Sequence, residues 1–300
     1  MSLFTGSGTA LVTPFDRTGK IDFVKFGKLI DFQVENLTDA LIICGTTGEG
    51  STISFDEKMD CFEFAAERVN GKIPVLAGTG SNSTEYTQKL IREAEKTGID
   101  GHLIVTPYYN KTSQNGLIKH YMNAAETADK PVIVYNVPSR TGVNILPKTY
   151  YELSKHENII AVKEANGNLT AMMNTMILCG GNLDIYVGND DQTASAVAMG
   201  AKGVISVLAN IMPKEMHEIV TLGIDGKTRE SHEMQMKYLK LISLLFSDVN
   251  PIPIKCAMEY LGMIEGHLRL PLVEMKEDKK EELIEEMEKL EVKSRYSNFE

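Results

Sequence analysis

The sequence predicts a (β/α)8 barrel over residues 1–225 and a C-terminal helical domain over 226–300. Three observations carry that prediction. Short runs rich in β-branched residues recur at roughly 20- to 35-residue intervals with amphipathic stretches between them. The runs are apolar almost throughout, as strands are when helices cover both faces of a parallel sheet. No Gly-x-Gly-x-x-Gly follows the first run, which favours closure into a barrel over an open, doubly wound sheet.

The expected strands are 9–13 (TALVT), 40–44 (ALIIC), 73–78 (IPVLAG), 101–106 (GHLIVT), 131–135 (PVIVY), 159–163 (IIAVK), 184–188 (DIYVG) and 203–207 (GVISV). Between them, 84–98 illustrates the helical pattern. Leu90, Ile91 and Ala94 fall on one stripe, and Gly98 stands where a helix C-cap needs a left-handed residue. Beyond 225 the alternation stops. Helices are expected over 230–247 and 251–263, and a third over 276–292, with Leu283, Met287 and Leu290 on one stripe and Glu285–Lys289 as an i,i+4 pair.

Composition narrows the function. The net charge of −10 argues against non-specific nucleic-acid binding, which needs a basic surface. Apolar stretches such as 241–246 (LISLLF, with one serine) fall far short of the roughly 18 residues that cross a bilayer. The four cysteines form no C-x-x-C pair, and the N-terminal residues show no basic-then-apolar leader, so a reduced cytoplasm is expected. The histidines have no metal-binding spacing, and Asp190 and Asp191 lack further spaced carboxylates, so no metal is expected. Gly226-Lys227-Thr228 lacks the upstream glycine and strand of a phosphate loop.

In such a barrel the chemistry sits where strands end, in the loops that follow. Those positions hold GTTGEG (45–50), TPYYNK (106–111), NVPSRTG (136–142), Lys163 and GNDD (188–191). Alternation puts Ile159, Ala161 and Lys163 on one strand face and Ile160 and Val162 on the other. Lys163 reads either as an ordinary surface lysine on an exposed strand end or, inside the barrel, as a lysine that loses solvation, so that its neutral amine becomes available to form an imine with a carbonyl. Tyr135, beside it on the neighbouring strand, reads either as a core tyrosine or as a proton shuttle. The GTTG turn is either a plain tight turn or a carboxylate cradle, and Arg140 either a carboxylate clamp or a surface ion-pair partner. Together these residues favour an imine-forming enzyme acting on keto acids.

GTTGEG, PYYNK, YNVPSRTG, VKEANGN and NPIPIK (250–255), in this order and at these distances, resemble the dihydrodipicolinate synthase family over about residues 3–293. The resemblance implies a (β/α)8 barrel with a C-terminal helical domain. It also implies condensation of pyruvate with L-aspartate 4-semialdehyde, on the route to diaminopimelate and lysine. On that resemblance Lys163 forms the imine and Tyr135 relays protons. Thr46 links Tyr135 to Tyr109, which reaches in from a neighbouring subunit of a dimer of dimers. Thr47 holds the pyruvate carboxylate, Arg140 binds the carboxylate of the aldehyde, and backbone carbonyls of Gly188 and Ile205 flank the lysine. No metal or organic cofactor is implied. The alternative within the same barrel group is N-acetylneuraminate lyase or a 2-keto-3-deoxy sugar acid aldolase. PSRTG, with its arginine, separates the two. A pyruvate-responsive binding protein without turnover is the non-enzymatic alternative.

One departure concerns regulation. Lysine-inhibited members of that family bind the amino acid through an asparagine, a tyrosine, a histidine and a glutamate. Asn82 and Tyr108 match, but Lys58 and Tyr86 stand at the last two places. Losing a carboxylate and gaining a cation disfavours a cationic ligand, so weak or absent lysine feedback is expected.

Overall fold

The computed structural model describes residues 2–293 and contains one closed barrel of eight parallel strands. The strands are β1 (Gly6–Ala10), β2 (Ala40–Ile43), β3 (Val75–Gly78), β4 (Gly101–Val105), β5 (Val132–Asn136), β6 (Ile159–Glu164), β7 (Asp184–Val187) and β8 (Gly203–Ser206). Neighbours in sequence are neighbours in the barrel, and β8 closes on β1 through Gly6↔Gly203 to Thr9↔Ser206. Seven strands fall within two residues of expectation. β1 starts three residues earlier than expected, because Gly6 and Ser7 pair with β8 although neither looks like a strand residue.

The period-two pattern sorts side chains as a filled barrel requires. Ala10, Ile42, Leu76, Leu103, Ile133, Tyr135, Ala161, Tyr186 and Ile205 fill the interior. Val132, Val134 and Val162 point outward against helices, among Leu117, Tyr121 and Tyr150. The small Ala161 lies inside as expected, but its neighbours correct the alternation. A register shift on β6 pairs Val132 with Ile159 and Ile133 with Ala161. Ile159 therefore joins the outer layer, and Ile160 packs against the interior. Past this bulge the alternation resumes, and Lys163 stays on Ala161's face.

Side-chain caps fix where several helices begin after the strands. Ser54 and Glu57 form a reciprocal capping box for the helix Phe55–Val69. Ser83 caps Thr84–Ala94, and Asn168 caps Leu169–Cys179 directly after β6. The segment expected as one helix over 84–98 ends as a tight 3-10 turn, Glu95–Thr97, with Gly98 left-handed.

Three further helices follow the barrel: Thr228–Leu245, Ile252–Tyr260 and Glu277–Lys289. Tyr238, Leu241 and Leu245 belong to the same apolar cluster as Met216 and Val220 of the preceding barrel helix, Pro213–Ile224. Leu283 and Met287 are fully buried in that cluster and Leu290 packs against it, so the expected stripe of the last helix is its docking face. The Glu285–Lys289 pair sits on the solvent side. Residues 294–300 of the expected C-terminal domain lie outside the described residues, as does Met1.

Candidate active site

Tyr135 and Lys163 are paired in register on adjacent strands, and Lys163 is paired in turn with Tyr186. The Tyr135 and Lys163 side chains both point into the barrel near its C-terminal rim. The Lys163 ammonium lies 4.5 Å from the Tyr135 ring centroid, and the lysine is only 5% exposed. Burial pulls its pKa down from 10.5 to about 8, partly opposed by Asp190 and assisted by Arg140. Gly188 makes room for it. A Cβ there would sit 2.8 Å from the Ala165 Cβ and 3.0 Å from the Lys163 Cε. A side chain at Gly188 would thus crowd first Ala165 and then the lysine chain, and Ile205 lies in the same interior cluster as Tyr135.

Two buried acids lie near the lysine, Asp190 acting on it directly and Glu164 following it on the strand, and the sequence assigns neither a role in the site. Asp190 is 1% exposed, and its Oδ2 accepts the backbone N–H groups of Val207 (3.1 Å) and Leu208 (2.8 Å). Burial lifts its pKa to about 6, while those N–H groups and Lys163 hold it down. Glu164, on the opposite strand face from Lys163, accepts from Tyr150 Oη (2.8 Å), Asn136 Nδ2 (2.9 Å) and Asn166 N (3.0 Å). Burial raises its pKa to about 7. Asn136 and Glu164 are themselves a register pair, so this network clamps the two strand ends that carry Tyr135 and Lys163. Part of the signal was present in sequence, since Glu164 ends an apolar strand and Asp190 lies three residues beyond another. A buried acid and a solvated one nevertheless look alike in a single sequence.

A cavity of about 380 Å³ opens at this rim, walled by Gly45, Thr46, Tyr135, Val137, Arg140 and Asn250 among others. Lys163 is not one of its walls. Tyr135, which is, lies against the lysine. Tyr135 is buried, which raises its pKa, and its hydroxyl bonds Thr46. Thr47 is 2% exposed, and its Oγ1 accepts from Asn250 Nδ2 at 3.0 Å. Arg140 follows Pro138 in a single helical turn and donates from Nη2 to the Asn250 carbonyl at 3.1 Å. Asn250 therefore joins the turn after β2 to the loop after β5.

The turn itself is compact. Gly50 packs on the backbone of Cys44, where any Cβ would fall 2.0 Å from the carbonyl oxygen. Glu49, the next residue back, forms a fully buried ion pair with Lys255 at 2.5 Å. The Lys255 ammonium also donates to the His267 carbonyl (2.8 Å) and lies over the Phe15 ring (4.1 Å). GTTGEG and NPIPIK, distant in sequence, are thereby locked together.

Tyr109 is not in this chain's cavity. It is 90% exposed at a positive φ of 69° in the loop after β4. Of the four positions tied to an effector, Lys58, Tyr86 and Tyr108 line the cavity. Asn82 does not, and its carbonyl accepts Asn110 Nδ2 at 2.9 Å. No metal-binding cluster of His, Cys, Asp or Glu exists among the described residues, and no helix there is long and apolar enough to cross a membrane.

A closed parallel barrel with a desolvated lysine and a tyrosine at its C-terminal rim defines the class as a Schiff-base-forming lyase. Known proteins narrow this further. The model of the dihydrodipicolinate synthetase family matches residues 3–290. The 4-hydroxy-tetrahydrodipicolinate synthase of Clostridium novyi (strain NT) is 48% identical over 283 residues, 94% of this chain and 95% of that one. Its counterpart from Caldicellulosiruptor saccharolyticus is 50% identical over 281 residues, with the same coverage. The crystal structure of dihydrodipicolinate synthase from Aquifex aeolicus superposes with a TM-score of 0.94 at 42% identity, covering 96% of this chain and 99% of that one. The chain belongs to the dihydrodipicolinate synthetase family.

Proposed function

We propose that this protein condenses pyruvate with L-aspartate 4-semialdehyde to 4-hydroxy-tetrahydrodipicolinate, within diaminopimelate and lysine biosynthesis. One observation carries the reading: Lys163, buried beside Tyr135 at a strand end, has its pKa depressed to about 8. At pH 7 about a tenth of such an amine is neutral, compared with well under a thousandth for a solvated lysine.

The neutral amine attacks the pyruvate ketone, and loss of one water gives the imine. The protonated imine nitrogen withdraws electrons, the methyl group loses a proton, and the resulting enamine attacks the aldehyde carbon. The amino group of the second substrate then adds to the imine carbon, closes the ring and releases Lys163. The sum is two substrates in and one product plus one water out, with no redox change. Tyr135, joined to Thr46, carries protons to and from these intermediates, with Tyr109 of a neighbouring subunit completing the relay. Thr47 and its turn hold the pyruvate carboxylate, Arg140 holds that of the aldehyde, and carbonyls of Gly188 and Ile205 flank the lysine. The lysine is itself the electron sink, so the reaction calls for no metal or organic cofactor.

The reading carries an architecture with it. Residues 1–225 are the catalytic barrel, 226–300 a C-terminal helical domain, and the working form is a cytoplasmic dimer of dimers. Relatives named as synthases at 48% and 50% identity support it over a sugar-acid aldolase. The test is trapping with borohydride in the presence of pyruvate, followed by peptide mass spectrometry. A reduced pyruvate adduct on the peptide holding Lys163 is expected. Folded protein without an adduct would remove the imine mechanism, and an adduct without turnover of the semialdehyde would remove the substrate assignment.

A further inference from the structure

Asp190 is a buried carboxylate that the condensation, as derived above, leaves without a task. It stands in the short turn after β7 and serves the fold with one oxygen. Oδ2 accepts the N–H groups of Val207 and Leu208, directly after β8, and the Ser206 hydroxyl also favours the charged form. Oδ1 is buried and has no hydrogen-bond partner among the described residues. Holding the chain after β8 in place accounts for Oδ2. It accounts for neither the second oxygen nor the charge, because a neutral amide oxygen would accept the same backbone bonds. A carboxylate kept out of water is costly unless another charge answers it.

The answering charge is on the strand beside it. Lys163 pairs in register with Tyr186 of β7, and a Cβ on Gly188, two residues before Asp190, would fall 3.0 Å from the Lys163 Cε. Around the lysine stand Tyr135 of β5, Arg140 from the loop that follows it, Tyr186, and Asp190. Arg140 works against the ammonium, and Asp190 supports it. Glu164 faces the other side of β6, where Tyr150 and Asn136 satisfy it. We propose that Asp190 is the fixed counter-charge for the cation carried at Lys163, first as ammonium and then as protonated imine. It acts through the lysine and not on the substrate. Its charge keeps the imine protonated, so that the electron pair of the breaking methyl C–H bond has a cationic nitrogen to move toward. The substrate carboxylates do not replace it, since they arrive later and are held by Thr47 and Arg140.

This inference rests on the imine reading, and its test separates the two. In Asp190→Asn the amide oxygen can keep the backbone bonds while the NH2 group takes the place of Oδ1, so the charge is the main loss. Two effects of opposite sign are expected. The neutral amine becomes commoner, so the midpoint of borohydride-trapped pyruvate adduct formation should fall from about pH 8 to about pH 7. The imine loses its proton more readily, so exchange of the pyruvate methyl hydrogens with D2O should slow at least about tenfold per trapped site. That exchange is followed by NMR without the aldehyde. Asp190→Ser, smaller and also neutral, should show the same pair of effects and decides the matter if the asparagine variant fails to fold. A merely structural aspartate would lower stability and both rates together and leave the midpoint near pH 8. That pattern, an unchanged exchange rate, or the failure of both variants to fold would overturn the proposal. Absence of any adduct in the unaltered protein would instead remove the imine reading, and this inference with it.

Discussion

Lys163 is held at a cost that shows where chemistry has overridden stability. Below about pH 8 the lysine is protonated in both the folded and the unfolded chain, and the folded state then carries the charge in a desolvated site. A shift from 10.5 to about 8 corresponds to a penalty on the order of 3 kcal/mol, present in full at pH 7 and removed as pH rises from 8 toward 10.5. Lys163→Met keeps the shape and drops the charge. It should abolish turnover yet raise the melting temperature at pH 7, with the advantage fading between pH 8 and 10.5. In the unaltered protein, pyruvate adduct formation should climb as pH passes through about 8, since the neutral amine is the nucleophile. A melting temperature unchanged or lowered at pH 7 would show that the ammonium is better compensated than its surroundings indicate. Lys163 was legible because a cation ends an apolar strand. Asp190 and Glu164 were not, because their burial depends on backbone donors and on Tyr150, which only the fold assembles.

At the scale of elements, the eight strands and the final helix could be read from the sequence pattern, and the reading slipped where Gly6 and Ser7 enter β1 without strand character and where β6 breaks its own period. The shift between Ile159 and Ala161 inserts one residue into β6 and turns Ile159 outward. Because the bulge precedes Ala161, the functional end of the strand still follows the simple alternation. The tie between Glu49 and Lys255 has no local signal at all, since its partners lie 206 residues apart (255 − 49). It joins the turn that carries Thr46 and Thr47 to the helix Ile252–Tyr260. Removing one partner strands a buried charge, so Lys255→Met should destabilise by about 3–5 kcal/mol in denaturant titrations at fixed protein concentration. Glu49→Leu combined with Lys255→Met should recover most of that loss, because neither charge then remains. Additive losses in the double variant would mean that the pair is not energetically coupled.

For the whole molecule, the completeness of the site turns on where Tyr109 acts. The catalytic assignments place Lys163, Tyr135 and Thr46 in one barrel, but Tyr109 stands 90% exposed on a left-handed loop residue and lines no wall of its own cavity. An aromatic side chain held in that backbone region, out in solvent, is poorly explained by the folded monomer. On the proposed reading, in which Tyr109 enters a neighbour's site across a two-fold interface, both features have a use. The assembly can be tested by complementation. Tyr109→Phe and Lys163→Met should each be nearly inactive alone. In a two-fold pair containing one of each, the subunit with Tyr109→Phe keeps its lysine and receives an intact tyrosine, whereas the other site lacks both groups. Random exchange at equal amounts makes half the pairs mixed, each with one working site of two, so activity should return to about a quarter of that of the unaltered protein. If Tyr109 served its own barrel, every site in the mixture would lack one group and activity would stay at the parental level. Recovery near a quarter, appearing only under conditions that allow subunits to exchange, would make the dimer the smallest catalytic unit.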